Sequence, residues 1–139
     1  MQQNNMMQQQ MRMMRMLQNN IQTDEQRLYK AENKRIKLEN KIKSLNKNLL
    51  KLNDELSVVK TTSEPADKEQ QKKENKLSKA LEKINQQIDK NNEKLKITNK
   101  VIEDLKNDIE KTKIKLEEKK KEKELKKLEK EEKKKEKEN

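Results

Sequence analysis

The sequence predicts an all-α fold: an extended coiled coil, most readily an antiparallel helical hairpin, with a disordered or frayed N-terminal tail and a Lys/Glu-rich C-terminal helix. Three observations carry this. Hydrophobic residues make up 27% of the 139 residues and charged residues 45%, with no Gly and 1% aromatic content. Ordinary domains are about 45–50% apolar and about 25% charged, so a wide globular core is out of reach and a narrow buried stripe is not. Two stretches repeat apolar residues at three- and four-residue spacing, which lets a helix bury one seam against another helix. The only proline, Pro65, lies between the two stretches.

Residues 1–23 form a Gln/Asn/Met-rich low-complexity tail, with eleven amides and all seven methionines. Met7, Met14 and Ile21 keep a seven-residue spacing with Leu17 between them, in phase with the seam downstream, so the helix has an early start available near Met7. Thr23, with Gln26 three residues later, offers a later start as an N-cap. Arg12 and Arg15, with no acid before Asp24, are the thin mark of a targeting segment; serine is missing from the stretch.

Residues 24–60 hold the first coiled-coil helix. Leu28, Ile42, Leu49 and Leu56 take heptad position a; Ala31, Leu38, Leu45, Leu52 and Val59 take d. Arg35 is the one interruption. Residues 61–68 are the expected turn around Pro65, where Ser63 or Glu64 would flank a new helix start and Pro65 would sit in its first turn, its missing N–H having no partner there.

The second coiled-coil helix is expected over residues 69–116. Its seam runs through Leu77, Leu81, Ile84, Ile88, Leu95, Ile102, Leu105, Ile109 and Leu116, with Asn91, Thr98 and Thr112 at d. Polar seam residues lower stability and restrict register. An antiparallel register sets Leu56 opposite Leu77, Leu52 opposite Leu81, Leu49 opposite Ile84 and Leu45 opposite Ile88. Continued, it sets Leu38 opposite Leu95, Ala31 opposite Ile102 and Leu28 opposite Leu105, while Ile42 meets Asn91 and Arg35 meets Thr98. A parallel homodimer through the first seam is the rival arrangement. Residues 117–139 are eleven Lys, nine Glu, two Leu and one Asn, a charged helical tail that resembles the Lys/Glu runs of single solvated helices. Glu117–Lys121, Glu122–Lys126, Glu129–Lys133 and Glu131–Lys135 are placed for i,i+4 pairing.

The composition also narrows the chemistry. Without Cys or His there is no thiolate or imidazole metal site and no nucleophile–histidine pair, and without Gly no phosphate-binding loop. No catalytic residue, cofactor, metal or small-molecule substrate is expected, and the chain reads as a non-enzymatic structural or scaffold protein. Its candidate functional residues are the seam itself: Leu28, Leu38, Ile42, Leu45, Leu49, Leu52 and Leu56 on one arm, and Leu77, Leu81, Ile84, Ile88, Leu95, Ile102, Leu105 and Ile109 on the other. Their expected partners are other proteins or a second copy. The net charge of +11 supports an alternative, a basic cytoskeletal (microtubule) or nucleic-acid accessory that makes weak polyanion contact through Lys-rich faces. Lys is interleaved with Glu along the chain, which blunts that reading. No apolar run reaches the length of a membrane span, and an intracellular protein, cytoplasmic before nuclear, is the expectation.

Overall fold

A computed structural model describes the backbone of residues 2–62 and 67–138, and the side chains of residues 5–62 and 67–135. Two helices account for nearly all of it: α1, Gln2–Thr62, and α2, Lys68–Glu138. They pack against each other antiparallel, and among the described residues there is no strand. The four residues Ser63 to Ala66, at the centre of the expected turn, lie outside the described residues.

α1 takes the early start. Thr23, the possible N-cap, is instead well inside the helix, and its hydroxyl donates to the carbonyl of Asn19 at 2.9 Å. The reason is the seam, which continues upstream through the half-buried Ile21, Leu17 and Met14 and gives that segment something to bury. At the other end, the hydroxyls of Thr61 and Thr62 donate back to carbonyls of the last turns, Thr62 to Val58 at 2.7 Å. Lys60 suits the negative end of the helix dipole.

Asp67 caps the start of α2, while Ser63 and Glu64, expected to flank it, lie outside the described residues. Asp67 accepts the backbone N–H of Glu69 on its side chain at 3.1 Å and that of Gln71 on its carbonyl at 3.1 Å. It is therefore the N-cap, because a carboxylate just ahead of the first turn satisfies amides that have no helical partner. Pro65, expected in the first turn, lies outside the described residues. Neither composition change, after Thr23 or before Glu117, interrupts a helix.

The chain divides into two compact units, each built from a segment of both helices: residues 31–101, and residues 1–30 with 102–139. Within residues 31–101, every a and d position from Ala31 to Val59 and from Gln70 to Thr98 is buried or half-buried. Val58 and Val59 share a surface groove with Lys73, Lys76 and Leu77, and Ile42 shares another with Asn92 and Leu95. Both linings fit the expected register.

In the other unit, Leu17, Ile21, Asp24 and Leu28 of α1 face Leu116, Thr112, Ile109 and Leu105 of α2, again at a and d, and the half-buried Met14 continues the seam. Glu25 and Lys113 bridge the helices at 3.9 Å. Both residues are at e, the position that meets its own kind across an antiparallel pair. Beyond Leu116 the α2 seam turns to lysine. Lys119 and Lys123 are half-buried at d and a, and the groove that follows sets Met6, Met7 and Gln10 against Lys123, Lys126 and Lys130.

Candidate functional site

All fifteen candidate residues lie on the inward side of the pair. Leu38, Ile102 and Ile109 are buried; Leu28, Ile42, Leu45, Leu49, Leu52, Leu56, Leu77, Leu81, Ile84, Ile88, Leu95 and Leu105 are half-buried. Their α-helical spacing is the whole cause: residues three and four apart fall on one stripe, and the stripe of α1 meets that of α2. No described side chain is fully buried. Two helices cover each other along one line only, so most seam side chains keep an edge toward solvent.

The most enclosed positions include two polar ones. Asn91 is 5% exposed and Thr98 4%. Each is satisfied within its own helix: the Asn91 amide donates to the carbonyl of Gln87 at 2.7 Å, and the Thr98 hydroxyl to that of Lys94 at 2.8 Å. Such local bonds remove the penalty of a buried donor without tying α2 to α1. Arg35, opposite Thr98 in the register, turns its guanidinium outward to Glu39 at 4.0 Å. It buries its stem and leaves the charge in water.

Flanking the seam are two edges. In an antiparallel pair, e of one helix meets e of the other and g meets g; b continues the first edge and c the second. Within residues 31–101 each edge has a groove of its own. Glu39, Asn46 and Leu50 of α1 share one with Asn92 of α2, all at e or b. Glu55 and Val58 share the other with Lys73 and Lys76, all at g or c.

The apolar pattern alone did not reveal the polar seam members Gln10, Asp24, Gln70, Glu74, Lys119 and Lys123, all half-buried at a or d. Their only signal is phase, the exact continuation of the heptad beyond its apolar part. The expected i,i+4 pairs of the last segment do not close to ion-pair distance among the described residues. There the ion pair is Lys119–Glu122 at 3.7 Å, three residues apart. Long exposed side chains gain too little from pairing to hold one rotamer.

These features define a class of molecule, a two-helix antiparallel coiled coil. Among the described residues no helix is long and apolar enough to cross a membrane. The chain matches no family model, no curated protein and no solved structure.

Proposed function

We propose that this is a non-enzymatic coiled-coil scaffold that holds other proteins together through helix–helix association. The observation behind the proposal is the seam. It runs in one phase from Gln10 to Val59 on α1 and from Gln70 to Lys123 on α2, and most of its apolar members are only half covered. A third helix, or a second hairpin, laid along an edge would bury what the first pairing leaves exposed, at roughly 25 cal/mol per Å² of apolar surface removed from water. Leu45, Leu49, Leu52, Leu56, Leu77, Leu81, Ile84 and Ile88 carry this role, which is association and not chemistry. The proposal extends to an intracellular setting, the cytoplasm first.

The test is recovery of the tagged chain from its own cells at about 0.15 M and about 1 M salt, which shortens the screening length from ~8 to ~3 Å. A stoichiometric protein partner is expected to survive both, and to be lost when Leu45→Glu and Leu49→Glu are combined. Recovery of the chain with no stoichiometric protein at either salt refutes the proposal.

A further inference from the structure

Lys and Glu alternate along the sequence, but the fold sorts them. Within residues 31–101, α1 presents Lys34, Lys37, Lys41 and Lys51 at g and c, and α2 presents Lys73, Lys76, Lys83, Lys90 and Lys94 at the same positions. All are exposed. Because g meets g in an antiparallel pair, both sets lie on one edge, as the groove shared by Glu55, Val58, Lys73 and Lys76 shows directly. Glu55 and Glu69 are the two acids at g or c positions of this unit, against nine lysines. The opposite edge is balanced: Glu32, Glu39, Glu82 and Asp89 are matched there by Lys43, Lys60, Lys68 and Lys96, with Asn46, Asn53, Asn85 and Asn92 among them. A charge spread evenly along the chain is thus concentrated laterally.

We infer that this g/c edge is a binding surface for the phosphate backbone of a nucleic-acid duplex, engaged without regard to base sequence. At about 1.5 Å per residue the lysines extend over roughly 40 Å, about one turn of duplex at ~34–36 Å. Ser44, Asn48 and Gln87 occupy the middle of the edge and divide the lysines into a group of five and a group of four. A duplex face likewise presents two backbone ridges per turn, one from each strand. Lysine suits this as a point charge for phosphate, and base readout has no reader here: the edge has neither arginine nor any aromatic residue.

The same features disfavour other polyanions. A membrane-surface helix needs a broad apolar face beside its lysines, and this edge offers only the separate side chains of Val58, Ala80, Ile97 and Val101. A flexible acidic peptide would lose conformational entropy to match a fixed array, which a rigid duplex does not. Single strands are ordinarily held by stacking on aromatic rings, which are lacking.

The experiment uses the full chain and a labelled DNA duplex of about 30 base pairs, roughly three turns, followed by anisotropy as salt is raised. If six of the nine lysines meet phosphates, affinity falls about 10³-fold between 50 and 200 mM salt. Replacing Lys37, Lys41, Lys90 and Lys94 by Gln lowers the slope of log affinity against log salt by about 3 to 4. The matched control replaces Lys47, Lys72, Lys79 and Lys100, all at the outward f position, by Gln and leaves the slope nearly unchanged. Circular dichroism melting confirms that both variants keep the helical fold.

Equal loss of slope in the two variants overturns the inference, since net charge alone would then explain binding. So does absence of duplex binding at about 50 mM salt, or retention on vesicles of about 30% phosphatidylserine under conditions where the duplex is not bound. The inference rests on the hairpin and not on the scaffold reading. A protein partner lost from the seam variants leaves it standing, and failure of the duplex assay leaves the scaffold reading standing.

Discussion

Replacing Asn91 by Leu makes the hairpin more stable. Asn91 is 5% exposed, faces Ile42 in the register, and spends its amide on the Gln87 carbonyl of its own helix at 2.7 Å. The substitution gives up one local hydrogen bond, a net contribution of about 0.5–1.5 kcal/mol. It gains the burial of a leucine side chain, about 1.5–3 kcal/mol. The balance is a stabilisation centred on about 1 kcal/mol, equivalent to a rise in Tm of roughly 3–5 °C for a chain of this size. Urea denaturation followed by helical circular dichroism is the assay. The midpoint should rise while the denaturant slope stays constant. A lower midpoint would refute the reasoning, because it would mean that Asn91 contributes a bond across the seam in solution. Sedimentation should then show what the polar layer was for. With Leu at position 91, pairings shifted by a heptad or shared between two chains lose the penalty that had excluded them.

Four further outcomes follow from the same geometry. Combining Leu45→Glu with Leu49→Glu places two carboxylates opposite Ile88 and Ile84 and should abolish cooperative helix melting; an unchanged melt would remove the first seam from the account. Asp67→Ala should cost about 1 kcal/mol by urea denaturation, through loss of the α2 cap, with Asp67→Asn nearly neutral. Glu25→Gln should change stability by less than about 1 kcal/mol, since both partners of the Glu25–Lys113 pair are more than half exposed. Amide exchange should be markedly faster in residues 5–13 than in residues 17–28, because the first segment faces the lysines from Lys119 to Lys133 where the second faces the apolar seam from Leu105 to Leu116.

Much of this structure was legible in the sequence, and the parts that were not share a cause. Leu28 to Val59 and Leu77 to Leu116 announce themselves by spacing, because burying a stripe on a helix demands that spacing and little else does. Thr23 looked like a cap because a Thr followed by Gln three residues on is what a helix start requires locally. Ile21, Leu17 and Met14 outweigh it by supplying tertiary contact on the far side. Asp67 is not separable as a cap from Ser63 or Glu64 by sequence alone, since several residues near a turn compete to cap it and local preference barely distinguishes them. The lysine edge was the least visible. Lys37 and Lys41 are separated in sequence by Leu38, Glu39 and Asn40, and only the angular step of the helix and the antiparallel partner bring them beside Lys90 and Lys94.

The lysines that replace leucine in the seam after Leu116 also bear on mechanics. Met6 and Met7 share a groove with Lys123, Lys126 and Lys130, so these end segments of the two helices lie side by side. Tension applied to those ends pulls across the helix pair and not along it, and it loads one layer at a time. The Met–Lys layers would yield at low force, and the Leu17–Leu116 layer would be the first latch to resist. In an optical trap, a soft early extension followed by a distinct rip is the expected trace; a single rip with no early yielding would show that the lysine layers hold as firmly as the leucine ones.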